Sequence, residues 1–524
     1  MATESLNPFA DYGSIVRGDR FVGRKRELNT IKQRVLGANY GNLAIMGLPR
    51  IGKSSLAWEG IMEKKVSLLQ EKTIPVFFQT GSCEDSISFF RQMVSLLDDE
   101  MNFVCEDERY LKFGEKLLNT IREDGDPTDF TLAVQKYFKL IKRLGYKVIY
   151  ILDEFDSVQS FFTVANFQTL RELSYNPETK ICLVTCSRKT IQEIEAKNGA
   201  ISNFYGTFSE IRLGVYDDDS INDYWQRVSS FFAPSDVYKT MANFFVGRHP
   251  FLLDYFNDFC LQKGLINGAD ESLILDEIRL NLLNHFNTIQ DTLRHEGLLN
   301  KAIQLVLGPA YDVTKIEEEK LLKYNFLKIV DNEEKFNVIG HLVGSTYQGK
   351  SYTCFSDFFT NVFEQNFIAD IDYWPLWTET EKTVRNLIKV YVEEVFGNDW
   401  ENEIQAKFGG NTSWVERFNQ LKRTRTTNQR LFPGASDNLI DYTLTRDMYD
   451  IFMSVAWREW FGDVFGADKK PWSAIFGFLA DIRNPMAHNN KEFISQDQIT
   501  KAQEYCEKVR KAIRDWGANR ESAS

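Results

Sequence analysis

Apolar positions in the first 235 residues of this chain fall in short runs separated by stretches of helical period. Asn42-Leu43-Ala44-Ile45-Met46, Ile74-Pro75-Val76-Phe77-Phe78, Lys147-Val148-Ile149-Tyr150-Ile151-Leu152, Ile181-Cys182-Leu183-Val184-Thr185-Cys186 and Phe208-Ser209-Glu210-Ile211-Arg212-Leu213 are the strand candidates. Continuous β-branched runs alternating with helices predict a parallel sheet covered on both faces. Beyond 235 the strand signal fades. Residues 236–310 read as helical, with Phe244, Phe245, Phe251, Leu252, Leu253 and Phe256 at helical spacing. From 316 to 348 a short helix precedes Phe326–Val330, a polar turn Asp331–Glu334 and Lys335–Ile339, which reads as a helix followed by a hairpin. Residues 349–372 read as a linker, and the chain from 375 is helical.

Four helices are predicted in that last part. Val384, Leu387, Ile388, Tyr391, Val392 and Val395 share one face, started by a Thr378…Glu381 capping box and stopped near Gly397. Met448, Ile451, Phe452, Val455 and Trp460 mark the second helix. Trp472, Ile475, Phe476, Leu479 and Ile482 mark the third, with Pro471 in its first turn, and Ala502, Tyr505, Val509, Ile513 and Trp516 mark the last.

Length and composition narrow the class. The 524 residues suit about three or four domains, and 43% hydrophobic residues suffice for real cores. Seven cysteines with no CxxC pair fit reduced, buried thiols better than disulfides or zinc. Met1–Ser5 lacks a basic segment and an apolar core, and no apolar run reaches bilayer length, so a cytoplasmic protein without a membrane partner is expected. A net charge of −12 excludes a surface that coats nucleic acid uniformly, so any RNA or DNA site must be a local patch. Arg417, Lys422, Arg423, Arg425 and Arg430, with Phe418 among them, form such a run; it reads equally as an RNA-tracking segment or a solvated polar loop.

Two motifs in the first 235 residues carry chemistry. Gly47-Leu48-Pro49-Arg50-Ile51-Gly52-Lys53-Ser54, between a strand and a helix starting at Ser55, is a complete phosphate-binding loop. Its glycines let backbone N–H groups curl around a phosphate, Lys53 reaches the β- and γ-phosphates, and the Ser54 hydroxyl suits Mg²⁺. Asp153-Glu154 closes the apolar run 147–152, at the strand end where α/β sheets bind ligands. There Asp153 would hold Mg²⁺ through water, and Glu154 would orient and deprotonate the attacking water of ATP hydrolysis.

Phe21-Val22-Gly23-Arg24-Lys25-Arg26-Glu27, the phosphate loop, Asp153-Glu154, Thr185-Cys186-Ser187-Arg188 and Gly247-Arg248-His249-Pro250 occur in the order seen in STAND-class, AAA-like NTPases, which residues 20–350 resemble. The resemblance implies an α/β P-loop NTPase core (20–235) after an N-terminal extension (1–19), a helical lid (236–295) and a winged helix (296–350). It further implies that Val22, Gly23 and Arg24 contact adenine through the backbone. Arg188 would read the γ-phosphate, and Gly247 and Pro250 would let the lid close over the base. STAND relatives exchange ADP for ATP to open and self-associate. No repeat of 34 or 40 residues, the usual sensor, occurs here.

After a linker (351–373), Asp481-Ile482-Arg483-Asn484-Pro485-Met486-Ala487-His488-Asn489 closes an apolar helix in a region (374–517, followed by a tail, 518–524) that resembles the all-α HEPN ribonuclease bundle. RNA is cut without a metal when its own 2′-OH attacks the adjacent phosphorus. That reaction needs a proton carrier near neutral pH, met by His488, and a fixed cation, met by Arg483. Positions five apart lie about 140° around an ideal helix, and Pro485 should kink it. The resemblance implies two copies paired about one cleft.

The expectation is therefore an ATP-regulated endoribonuclease acting on RNA, tRNA among the candidates. It would work as an oligomer of at least HEPN dimers in antiviral defence or growth arrest, with a phage-derived or host protein as trigger. The alternative is an ATP-dependent regulatory or assembly protein whose winged helix binds DNA and whose HEPN part only dimerises. The acidic stretch Ile316-Glu317-Glu318-Glu319-Lys320 counts against DNA.

Overall fold

Strands β1 (Asn42–Met46), β2 (Thr73–Gln79), β3 (Lys147–Asp153), β4 (Cys182–Ser187) and β5 (Phe208–Arg212) form one parallel sheet in the order β2-β3-β4-β1-β5. The computed structural model describes residues 7–123, 126–196, 202–265, 271–310, 312–339, 346–367, 374–407, 412–453, 457, 460–487 and 494–523. All five predicted strands are present: Asn42–Met46 has the predicted bounds, and the other four differ by one residue at one or both ends.

The sheet is buried on both faces because successive side chains point to opposite sides. Val148, Tyr150 and Leu152 of β3 enter a core with Phe78, Phe89 and Tyr137, while Ile149 and Ile151 enter a second core with Ile45, Leu56 and Val184. Strand β4 lies between β1 and β3, in register Ile45↔Cys186 and Ile151↔Val184. The ends of three neighbouring strands thus deliver the phosphate loop, Arg188 and Asp153 to one edge of the sheet.

The chain divides into two compact units. One takes in residues up to Leu299 with Ile316–Lys328 and Thr353–Val362; the other comprises Asn300–Lys315, Ile329–Tyr352 and the chain from Phe363. The segment expected to be one winged helix, 296–350, is therefore shared between the units.

Its expected hairpin is not formed. Strand β6 (Leu327–Val330) is present, but Asn332–Ile339 is a helix rather than the second strand. Asp331 caps that helix: its Oδ1 accepts the Glu334 N–H at 2.7 Å and its carbonyl accepts the Lys335 N–H. An acceptor side chain followed three residues later by Glu is an N-terminal helix signal, and it outweighs the alternation of Lys335–Ile339. The sheet is completed instead by β7 (Thr346–Tyr347) and β8 (Lys350–Cys354), in the order β6-β8-β7. The expected linker 351–373 is likewise corrected, since it contains most of β8 and the helix Asp357–Phe367.

In the C-terminal unit, helices Trp374–Phe396, Thr412–Leu431, Thr445–Phe452, Lys469–Ala487 and Gln496–Ala523 surround one aromatic-rich core. Leu387, Ile388, Tyr391, Phe452, Trp472, Phe476, Leu479 and Val509 are buried there, as their spacing predicts, whereas Val395 is exposed. The first of these helices starts at Trp374, so Thr378 is interior to it. The Thr378 hydroxyl donates to the Trp374 carbonyl, four residues back, instead of capping. Gly397, at φ 57°, follows its last residue. All seven cysteines are buried and unbridged.

Candidate nucleotide site

The phosphate loop leaves β1 and feeds the helix Lys53–Ile61. Gly47 cannot be replaced without distortion, since a Cβ there would lie 2.4 Å from the Leu213 carbonyl oxygen. Gly52 takes φ 96° as the residue preceding the helix, a left-handed conformation natural to glycine, and Arg50 bears a positive φ of 59° in the same loop. Lys53 Nζ donates to the Gly47 and Leu48 carbonyls at 3.0 and 2.9 Å. An ammonium has three donors, so one remains available to a phosphate oxygen. Burial pulls the Lys53 ammonium below its ordinary value, opposed by Asp156 and Asp153.

Ser54 Oγ donates to Asp153 Oδ1 at 2.8 Å. Asp153 is set in place by β3 and by Thr80, whose hydroxyl donates to the Asp153 carbonyl at 2.8 Å. Burial pushes the Asp153 carboxyl up, while Ser54, the Glu154 N–H and Lys53 pull it down. One hydroxyl and one carboxylate suit Mg²⁺, which keeps several waters and takes phosphate oxygens, better than an all-protein cage. Among the described residues no cluster of three or more His, Cys, Asp or Glu forms a separate metal site. Glu154 is exposed and sits in the left-handed region at φ 54°, a strained conformation that positions its carboxylate at the cavity. That carboxylate lies so close to Gly81 that a Cβ there would meet Glu154 Oε2 at 2.2 Å.

A cavity of about 330 Å³ opens beside the loop. Of the expected site residues, Arg24, Arg50, Ile51, Gly52, Lys53, Ser54, Ser55, Glu154 and Pro250 line it; Val22, Gly23, Gly47, Leu48, Pro49 and Asp153 belong to adjoining turns and strands. Arg24 is buried at φ 58°. Its N–H donates to Ser220 Oγ at 3.1 Å, and its guanidinium donates to the Val215 carbonyl at 3.4 Å and to the Gly214 carbonyl while covering the Tyr216 ring at 4.9 Å. Pro250 opens the helix Pro250–Gln262, where its missing N–H costs no hydrogen bond.

Two expected residues lie elsewhere. Arg188 is not among the residues lining the cavity; its Nε donates to Asp156 Oδ2 at 2.7 Å, its backbone N–H to Oδ1 at 3.2 Å, and its side chain is half exposed. Gly247 packs against Phe355, whose carbonyl oxygen a Cβ would meet at 2.3 Å.

Sequence reasoning missed the far wall. Residues 7–19, expected to be an extension, contribute Tyr12 through Val16 to the cavity. Asn7 Nδ2 donates to Asp258 Oδ1 at 2.6 Å, Phe9 is fully buried, and the Val16 N–H donates to Ser55 Oγ at 3.0 Å. Tyr12 meets Phe251 edge-to-face at 5.6 Å, and the Arg50 guanidinium covers the same Phe251 ring at 4.5 Å. Farther along lie Arg20, Tyr224, Arg227 and Asp254. Burial pushes the Asp254 carboxyl up, against Arg227, Tyr224 and Arg20. The aromatic and charged pattern of Phe9-Ala10-Asp11-Tyr12 was the available signal.

In the C-terminal unit, Arg483 lies in the helix Lys469–Ala487, which continues through Pro485. Its Nε is 3.6 Å from Glu381 Oε1, and Arg385 approaches the other oxygen of Glu381 at 3.4 Å. His488 lies outside the described residues. The basic run is helical rather than a loop, and much of it is paired internally. Arg417 forks onto both Asp447 oxygens at 2.8 and 2.6 Å, Arg425 pairs with Glu401, and Lys422 donates to Gln405 at 3.1 Å, which leaves Arg423 and Arg430 exposed.

No family model and no curated protein matches the chain. Solved structures similar to it include a Walker-type ATPase of Pyrococcus abyssi, 13% identical, covering 67% of this chain and 97% of that one at a TM-score of 0.38. Also similar are the Aeropyrum pernix ORC2 protein in ADPNP–ADP complexes (11% identical, 66% and 93% covered, TM-score 0.36) and the Aeropyrum pernix ORC1 protein in complex with DNA (12% identical, 67% and 95% covered, TM-score 0.34).

Proposed function

We propose that this chain binds and hydrolyses ATP with Mg²⁺ and uses the nucleotide as a switch for an endoribonuclease in its C-terminal unit. The observation that carries the first half is the contact between Ser54 Oγ and Asp153 Oδ1, made beside a loop whose lysine keeps one donor to spare. Mg²⁺ held through this pair would neutralise phosphate charge. Lys53 and the backbone N–H groups of the loop grip the β- and γ-phosphates, Glu154 orients and deprotonates water, and Arg188, once released from Asp156, reaches the γ-phosphate.

The second half rests on the resemblance of Arg483–His488 to the HEPN motif. In that reading His488 moves the 2′-OH proton and Arg483 stabilises the added phosphate charge, in a cleft shared by two copies. It has a direct test. Purified protein is incubated with total tRNA with and without ATP and Mg²⁺, and fragment ends are sequenced. Fragments bearing 2′,3′-cyclic phosphate and 5′-hydroxyl ends, lost in His488→Ala and in Arg483→Ala, support the nuclease; 5′-phosphate ends, or full activity in either variant, overturn it.

One observation favours a second reading, in which the C-terminal unit only mediates assembly. Arg483 Nε faces Glu381 as an ion pair at 3.6 Å, as a structural arginine would, though without a hydrogen bond there. DNA binding through a winged helix belongs to this second reading, since the helix Asn332–Ile339 is followed by the antiparallel pair β7–β8.

A further inference from the structure

We infer that Asp254 and Arg20 select the nucleobase by reading the amine edge of adenine, which makes them specificity-determining residues of the cavity; this rests on the nucleotide reading above. Both line the cavity that also holds Lys53 and Ser54. Asp254 exposes only 9% of its side chain. Its Oδ1 already accepts from the Tyr224 hydroxyl at 3.0 Å and from Arg227 Nη1 at 3.4 Å. Oδ2 has no hydrogen-bond partner among the described residues, so the carboxylate offers the cavity a single acceptor.

Arg20 is complementary. Its Nη1 and Nη2 are occupied by Asp11, at 2.6 Å to Oδ2 and 3.0 Å to the carbonyl. Its Nε is buried and without a partner. Such a donor costs stability unless something satisfies it. The two residues are near enough for the Arg20 charge to favour ionised Asp254.

A free acceptor on Asp254 and an unsatisfied donor on Arg20, in the wall of one cavity, match a base with an amino group next to a ring nitrogen. Adenine presents N6–H₂ beside N1 on one edge and beside N7 on the other. Guanine places the acceptor O6 where adenine has its amine. Its neighbouring N1–H and N2–H₂ donors would call on both carboxylate oxygens, and Oδ1 is already engaged. Cytosine carries the same donor–acceptor pair on a smaller ring, farther from the wall when its phosphates sit at Lys53.

The test is equilibrium binding of ATP, purine riboside triphosphate (adenine without its amine), GTP and CTP to the full chain, repeated with Asp254→Asn. A hydrogen bond to a charged group supports an expectation that ATP binds at least about tenfold more tightly than the other three. Asp254→Asn should weaken ATP while leaving purine riboside triphosphate unchanged. Equal binding of ATP and purine riboside triphosphate by the unaltered chain overturns the inference and leaves the nucleotide site standing, and needs no variant to fold. CTP or GTP binding as tightly as ATP, or Asp254→Asn weakening both purine nucleotides alike, also overturns it. Failure of every triphosphate to bind overturns the nucleotide reading with it.

Discussion

Ser54 and Asp153, 99 positions apart, are joined by a 2.8 Å hydrogen bond from hydroxyl to carboxylate. The loop after β1 and the end of β3 are thereby fixed to one another across the intervening β4. Under the proposed ATP hydrolysis, labour is divided between neighbouring residues, and substitutions should separate the parts.

Lys53→Ala should reduce ATP affinity at least about a hundredfold, since a charge-assisted contact within a buried cradle is lost. Glu154→Gln should retain binding and lose turnover. Binding and steady-state hydrolysis measured on both variants check this, and unchanged rates in the two would refute the assignment of the loop.

Gly214→Ala should destabilise the N-terminal unit by about 3 kcal/mol, because its Cβ would fall 1.4 Å from Asn325 Oδ1. Asn325→Gly in the same chain should recover much of the loss, since it removes the whole side chain and suits the left-handed φ of 49° there. Chemical denaturation of the single and double variants measures the recovery. Additive losses would rule out the steric account.

Stability should fall in acid through two buried histidines. His249 and His285 meet at 5.7 Å between ring centroids, and three of their ring nitrogens are buried without partners. Burial first, then His285, Arg24 and Arg50, hold His249 well below its ordinary value; burial, then Arg50, pull His285 to about 4. The unfolded chain binds these protons first, so both contributions are complete above pH 6.5 and fade below it; that of His285 is lost as pH falls from 6.5 to about 4, by up to roughly 3 kcal/mol. His285→Phe should flatten that part of the curve of stability against pH. An unaltered slope in the variant would exclude His285 as its source.

Arg417→Ala should cost the C-terminal unit about 2 kcal/mol, because Asp447, only 8% exposed at its side chain, loses its forked partner. Arg423→Ala and Arg430→Ala should each change stability by less than about 0.5 kcal/mol. Thermal unfolding distinguishes them. Equal effects in all three would contradict the internal role of Arg417.

The sheet was readable because Val148–Leu152 and Leu43–Met46 are continuous apolar runs, the mark of strands covered on both faces. The phosphate loop and Asp153 were readable because their chemistry requires particular residues at fixed spacing. Residues 332–339 were misread because five residues of alternation weigh less than a capping aspartate followed by Glu334. The far wall offered only the aromatic and charged pattern around Tyr12, and Arg20 and Asp254, 234 positions apart, come to one cavity only through tertiary structure. For Arg483 and His488, spacing alone did not reveal the partner that Arg483 finds in Glu381.

The pairing of Asn7 with Asp258 spans 251 positions. During synthesis the first residues of the cavity wall must therefore wait, unpaired, until the helix Pro250–Gln262 has left the ribosome. The phosphate loop is made some two hundred residues earlier and has β1 behind it well before then. A nascent chain thus carries its phosphate loop long before the cavity beside that loop is closed, and on the proposed reading tight nucleotide capture is a late event in the life of the polypeptide.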